Sequence, residues 1–349
     1  MIRALRAPWT PKKSLVQKTP SVRRTTLVVV VIVAGVMVCC GTGEAGELKL
    51  ELAGDGKPVF VKSGEIAGLS GVTWCGGDSF AAVSDREPVV VPLTLTIGPT
   101  GVLEKAAAGV PVRLATRLSD CEGIAWVAGE GRFYVSAEGG PGIQGFGRAD
   151  GKAGPVLKLP EVFGQARGNL SLESLTFEST AGRFWTANEE ALAVDGPVAG
   201  TKEGTLVRLQ EISKEGRMLR QVAWRTERAG MRFQGAGNGV VDLCLLPGGQ
   251  LLVLERGFGS GGLHARVFLA DLAGATETGS METLAGEAIK VAGKTLLMDL
   301  PSGFTNYEGM CAGPVLADGS RSLIFVADSG GPGRHAFLAL RLSGLSGVR

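Results

Sequence analysis

The stretch EGIAWVAGEGRFYVSAE, Glu122–Glu138, decides the reading of the fold. Two apolar runs flank a glycine-bearing polar turn, so it reads as a β-hairpin. A carboxylate stands where the first strand starts, and another where the second strand ends. Four further copies occur: SGVTWCGGDSFAAVSD (Ser70–Asp85), ESLTFESTAGRFWTANE (Glu173–Glu189), VDLCLLPGGQLLVLE (Val241–Glu255) and EGMCAGPVLADGSRSLIFVAD (Glu308–Asp328). A unit that returns every few tens of residues marks a repeat fold.

The closing carboxylates fall at 85, 138, 189, 255 and 328, so the intervals are 53, 51, 66 and 73 residues. Such intervals suit four-stranded propeller blades, with longer loops in the later ones. Val89–Ile97, Gly154–Leu159, Thr205–Gln210, Arg220–Arg225 and Arg266–Leu272 supply further strands, and Ala273–Gly286 reads as a surface loop. His335–Leu342 reads as a strand that could close the ring beside the N-terminal one. Neither the 160s nor Ser213–Arg220 sustains a helical period. The expectation is an all-β chain, a β-propeller with five visible hairpin repeats and a sixth blade built from weaker or terminal strands.

Residues 1–45 stand apart. Seven basic residues, from Arg3 to Arg24, precede the apolar run Leu27–Val38 and small residues up to Ala45. This pattern reads as an export signal or an N-terminal anchor. The run is short for a membrane span, which needs about 20 apolar residues. The expectation is therefore a periplasmic or extracellular protein, with membrane attachment only through this segment, followed by one domain at 46–349. The leader holds seven of the 36 Lys and Arg and one of the 34 Asp and Glu, leaving 29 basic against 33 acidic residues. A net negative chain without a nucleic-acid motif argues against nucleic-acid binding. Cys75, Cys121, Cys244 and Cys311 allow three full pairings if oxidised. Without a CxxC or Cys/His cluster they read as small buried apolar residues, not zinc ligands.

The acids gathered by the hairpins are Asp85, Asp120, Glu122, Glu138, Glu173, Glu189, Asp242, Glu255, Glu308 and Asp328, accompanied by Arg86 and Arg256. Single acids in propeller blades often only fix turns. Two basic partners cannot neutralise ten acids, however, and buried carboxylates are costly unless paired or metal-bound. If the hairpins surround an axis, these acids make a hard-oxygen environment of the kind calcium prefers.

The segments DCEGIAW (Asp120–Trp126), VSAE (Val135–Glu138), GNLSLESL (Gly168–Leu175), LLVLERG (Leu251–Gly257), NYEGM (Asn306–Met310) and VADSGG (Val326–Gly331), with the early SDRE (Ser84–Glu87), resemble the bacterial phytase-like proteins, also described by an esterase-like activity of phytase. The resemblance spans roughly residues 60–342 and rests on the order and number of the segments. It implies an exported propeller that hydrolyses phosphoesters or carboxylic esters, and the acid cluster adds calcium as the expected cofactor. In that reading Glu122, Glu173, Glu308, Arg86 and Arg256 act on a small anionic or ester substrate, while Asp85, Glu138, Glu189, Glu255 and Asp328 bind metal. One departure is visible: where the family has an Asn-Arg pair before Glu-Gly, this chain has Asn169-Leu170 and then Glu173-Ser174, with Arg167 upstream as a substitute cation. The alternative function is a non-catalytic envelope propeller that binds a ligand or partner and holds structural calcium. A third is hydrolysis of a lactone or other carboxylic ester.

Other signals carry less. DSGGPG (Asp328–Gly333) copies a protease nucleophile segment, but only His264 and His335 are present and no matching histidine segment accompanies it. There is no G-x-S-x-G elbow. GFGSGG (Gly257–Gly262) follows a hairpin and opens no helix, so it reads as a loop and not a phosphate cradle. Trp74, Trp126 and Trp185 fall on repeat strands and read as core.

Overall fold

A computed structural model describes residues 47–62, 64–231, 237–259, 262–300, 305–328 and 333–345. The leader and Ser329 therefore lie outside the described residues. Among the described residues the regular structure is β, with two short 3-10 turns, and no helix is long and apolar enough to cross a membrane.

Two N-terminal strands, β1 (Lys49–Leu52) and β2 (Val59–Lys62), precede five antiparallel sheets. The first blade comprises β3 (Leu69–Gly76), β4 (Ser79–Ser84), β5 (Val89–Ile97) and β6 (Leu103–Ala108), with β7 (Val112–Arg113) beside β5. The second comprises β8 (Ser119–Val127), β9 (Arg132–Gly139), β10 (Gly142–Gly147) and β11 (Ala153–Leu157). The third comprises β12 (Thr176–Glu178), β13 (Arg183–Ala187), β14 (Leu206–Ser213) and β15 (Met218–Arg225). The fourth comprises β16 (Asn238–Leu245), β17 (Leu251–Gly259), β18 (Gly262–Asp271) and β19 (Gly293–Leu300). The fifth comprises β20 (Asn306–Val315), β21 (Arg321–Asp328) and β22 (Arg334–Ser343), completed by β1 and β2.

The molecule is thus a five-bladed propeller, and the expected sixth blade is corrected. Its raw material is used elsewhere. β1 pairs with Leu340–Ser343, and β2 with Arg334–Phe337, so both ends of the chain build one blade. The ring is already complete: inner strands β3, β8, β12, β16 and β20 each touch the next, and β20 returns to β3. The longer repeats arise from loops. Residues 272–292 between β18 and β19 fold back on the third blade, where Glu277 bridges Val222 and Thr278 N–H donates to the Gln221 carbonyl.

The core lies between blades, since each sheet is apolar on both faces. One cluster joins Leu69, Phe80 and Val91 to Ile324 and Phe337 across the ring closure. Another joins Trp185, Val207 and Trp224 of the third blade to Val240, Leu243 and Phe268 of the fourth. Burying a side chain of this size contributes roughly 1.5–3 kcal/mol. Cys121, Cys244 and Cys311 are buried, Cys75 is half-buried, and all four thiols are free, as expected for small apolar residues. Trp185 is core, whereas Trp74 and Trp126 are only half-buried and flank a cavity at one end of the ring.

Candidate functional site

The inner hairpin of every blade carries the same irregularity. Pairing jumps between Leu69 and Val72, Cys121 and Ile124, Leu172 and Thr176, Val240 and Asp242, and Tyr307 and Gly309. In each case the inner strand spends one residue more than its partner, which is a β-bulge. Bulges bend a strand and re-aim its side chains. The residues just after the last regular pair are Ser70, Glu122, Glu173, Val241 and Glu308. Their counterparts one step beyond that pair on the second strand are Asp85, Glu138, Glu189, Arg256 and Asp328. Ten positions thus come to one end of the ring.

Small residues at the next inner position let the strands converge. A Cβ on Gly71 would lie 2.3 Å from the Glu122 carbonyl oxygen, one on Gly123 2.4 Å from Leu175 N, and one on Gly309 2.3 Å from the Ser70 carbonyl oxygen. Ser174 serves in the third blade, its hydroxyl accepting from Ala187 N–H at 2.9 Å. In the fourth blade the position holds Asp242. Its carboxylate accepts backbone N–H groups from Leu243 (2.8 Å) and Met310 (2.7 Å), and from Leu175, tying three blades together. Asp242 is therefore structural.

Two groups of carboxylates place ligand oxygens within 4.8 Å of one another: Asp85, Asp120 and Glu122, and Glu138, Glu173 and Glu189. The first lies between blades one and two, the second between blades two and three. Asp120, which the sequence reading collected without assigning a role, is the sole non-glycine with positive φ (58°) among the described residues. Such strain persists where surrounding structure enforces it, often at functional sites. Arg256 closes the arc. Its Nη2 donates to Glu189 Oε1 at 2.9 Å and its Nη1 to Glu308 Oε1 at 2.6 Å and Asn306 Oδ1 at 3.2 Å. Asn306 Nδ2 also donates to Glu308 Oε1 at 2.6 Å.

Burial, with repulsion between several of them, pushes six of these acids upward. Glu308 rises to about 7, chiefly through burial, with Arg256 opposing. Glu138 rises to about 8 through burial, despite the Ser171 N–H it accepts. Asp85 rises to about 6, again mainly through burial. Glu122 and Glu173 are driven well above the usual carboxylate range by burial and by neighbouring glutamates. Glu189 is raised by burial, while Arg256 and a hydrogen bond from Glu173 pull the other way. Glu138 Oε2, Glu308 Oε2 and Asp85 Oδ1 are buried without a hydrogen bond. Buried oxygens left in this state need a proton or a cation. Carboxylates from four blades, several with an unused oxygen, are a donor set that fits a hard, oxygen-seeking cation.

The sequence-predicted residues divide accordingly. Asp85, Glu122, Glu138, Glu173, Glu189, Arg256, Glu308 and Asp328 are brought together. Arg86 stands at the rim, mostly exposed, its Nε 3.4 Å from Asp85 Oδ1. Glu255 is not brought in, because at the register of β17 Arg256 takes the site position and Glu255 points to the opposite face. There its oxygens accept from Trp224 Nε1, Glu227 N–H and Asn238 Nδ2, each at 2.8 Å, with Lys294 Nζ at 3.3 Å. Arg167 does not replace the missing cation: its Nε donates to the Ala191 carbonyl and its Nη2 to the Gly196 carbonyl, bracing a loop. Asn169 is exposed. His335 Nε2 lies 3.0 Å from the Ile66 carbonyl oxygen, and His264 sits in the fourth blade beside Arg266 and Asp299.

Several solved propellers are similar in outline. A hydrazine synthase of Kuenenia stuttgartiensis aligns with 76% of this chain at 9% identity and a TM-score of 0.40, and this chain spans 56% of its length. A luciferin-regenerating enzyme aligns over 83% of this chain and 96% of its own, at 13% identity and a TM-score of 0.39. A streptogramin B lyase aligns over 85% and 98%, at 10% identity and a TM-score of 0.34. At these scores none bears on function. No curated protein sequence matches the chain. Residues 64–330, which contain both acidic groups, Arg256 and the five bulged hairpins, match the family described as "Phytase-like: Esterase-like activity of phytase", and to that family this chain belongs.

Proposed function

We propose that this protein is an exported, calcium-dependent hydrolase of phosphoesters or related esters, acting at the acidic end of the ring. The observation that carries the proposal is the pair of carboxylate triads, Glu138, Glu173 and Glu189 buried and Asp85, Asp120 and Glu122 partly so, with orphaned oxygens on Glu138 and Glu308. The family description supports ester hydrolysis as the reaction class. Asp85, Asp120 and Glu122 would hold one cation, and Glu138, Glu173 and Glu189 another. Bound calcium would supply Lewis acidity toward the ester oxygens and offset the charge of the acids. The chain's own residues do the rest. Glu308, with one oxygen fixed by Arg256 and Asn306 and the other unbonded, can take or give a proton at Oε2 near neutral pH. Arg86, exposed at the rim, meets an incoming anion. Export rests on the leader, residues 1–45.

One observation favours a second reading. The Arg256 guanidinium is spent on Glu189 and Glu308, and so is not directed at a substrate. A non-catalytic propeller with structural calcium would have that arrangement. Purified protein should be assayed with p-nitrophenyl phosphate, p-nitrophenyl acetate and a simple lactone, with calcium or with EDTA. Hydrolysis of the phosphate that requires calcium and falls at least a hundredfold in Glu308→Gln supports the hydrolase. Calcium-dependent stabilisation with no turnover of any ester would select the second reading. Turnover of the lactone or acetate alone would move the substrate class to neutral esters.

A further inference from the structure

The inner strands that begin at the acids end, about one turn of the hairpin later, around a separate cavity of about 420 Å³. Its volume falls in the roughly 300–1,000 Å³ range of small-molecule sites. The wall is mostly apolar and sulfurous, with Trp74, Trp126, Phe177, Cys244 and Cys311 facing one another across the ring. Into it comes Arg321, from β21 of the fifth blade, only 8% exposed.

Arg321 is a buried charge without an ion pair. Its Nη1 donates to the Gly313 carbonyl at 2.6 Å, and its Nε is buried with no hydrogen-bond partner. No carboxylate lies within ion-pair distance of it among the described residues. The acid on the wall, Glu178, is already paired with Arg183 at 2.6 Å. A second guanidinium, Arg148, lies 4.9 Å from the Trp126 ring centroid and donates to Ser79 at 3.0 Å. The Gly313 bond alone would account for a brace at the second irregularity of β20. The Arg321 guanidinium carbon also lies 5.9 Å from the Trp74 ring centroid, a cation–π contact at the edge of range. Neither contact supplies a partner for the orphaned Nε or an anionic counter-charge beside an open cavity, which is a costly arrangement unless something completes it.

We infer that this end of the ring binds a small amphipathic anion, with its single anionic head on Arg321 and an aromatic or branched apolar body against Trp74, Trp126 and Phe177. The recognising chemistry is a buried guanidinium in an aromatic-lined pocket, which prefers a carboxylate, sulfonate or phosphate monoester joined to an apolar group. This site is independent of the acids at the other end and of whether they catalyse.

Trp74 and Trp126 make their own emission a reporter. The wild-type protein should be titrated in about 150 mM salt with 3-phenylpropionate, 2-naphthalenesulfonate, phenyl phosphate and neutral 3-phenylpropanamide, in EDTA. Saturable quenching by at least one anion, at least tenfold tighter than by the amide, is expected, and which head group binds best identifies the source. Arg321→Met should abolish that tenfold preference, while Arg321→Lys retains part of it. The half-buried Cys75 supplies a readout that needs no variant: the binding anion, but not the amide, should slow its reaction with dithiodipyridine at least threefold. No anion binding, equal binding of the amide, unprotected Cys75, or a preference that survives in folded Arg321→Met would each overturn the inference.

Discussion

At the residue scale, Arg256 occupies in the fourth blade the position that Asp85, Glu138, Glu189 and Asp328 occupy in the others, and there it compensates two of the buried glutamates. Breaking a buried pair by removing one partner typically costs about 3–5 kcal/mol. Arg256→Met should therefore lower stability by about that amount at pH 8, measured by urea unfolding. The loss should shrink at pH 5, where Glu308, already raised to about 7, is neutral and no longer needs the guanidinium. Glu255, one residue earlier, makes the opposite prediction. Because it serves Trp224, Asn238 and the Glu227 N–H on the other face, Glu255→Gln should cost about 1–3 kcal/mol of stability and leave calcium affinity unchanged. Glu173→Gln should leave the fold intact and weaken calcium binding at least tenfold by calorimetry. Equal effects of the two glutamines on calcium would remove the assignment of faces.

At the element scale, the unit of construction is a hairpin with one extra inner residue, and the close packing behind that bulge is what sets the acids side by side. Gly123→Ala or Gly309→Ala would drive a Cβ to within 2.4 Å of the neighbouring inner strand. Overpacking of this kind costs about 1–3 kcal/mol. Gly129→Ala, in open space at the turn of the same hairpin, should be neutral within about 0.5 kcal/mol. Thermal melts of the three variants check the contrast. The hairpins themselves were legible in the sequence, because alternating apolar runs and glycine turns are local signals. Val89–Ile97 was read with its observed bounds. The bulge was not legible. It is a property of pairing between strands, and missing it by one residue placed Glu255 on the axis beside Arg256, where only Arg256 belongs. The outer strands Leu103–Ala108 and Gly293–Leu300 were missed for a related reason: their burial is low, so LEKAAA and GKTLLMDL show little alternation. The sixth blade came from counting terminal strands as a new unit, when their edges were needed to complete the fifth. The Arg321 cavity gave no local signal at all, since Trp74, Phe177 and Arg321 come from three different blades.

At the scale of the whole molecule, a closed ring of inner strands holds like charges close together, so its stability should depend on pH and on cations in a coupled way. Asp85, Glu138 and Glu308 hold protons up to about 6, 8 and 7 in the folded protein, whereas unfolded carboxyls release theirs near 4. Between those limits the folded state binds more protons than the unfolded chain. Stability therefore falls as pH rises, most steeply from about 4.5 to about 8, and the accumulated loss is on the order of several kcal/mol. A cation that satisfies the same oxygens competes with those protons, so its benefit should grow over the same window. At calcium about 100-fold above its dissociation constant the added stability is about 2.7 kcal/mol, or roughly 5 °C in a protein of this size. Melting curves at pH 5 and pH 8, each in EDTA and in calcium, are the test. In EDTA the protein should melt lower at pH 8 than at pH 5. Calcium should restore the difference at pH 8 and do little at pH 5. A metal-free protein more stable at pH 8 would mean that the carboxylates already find enough compensation within the ring, and the case for a cation between the blades would fall with it.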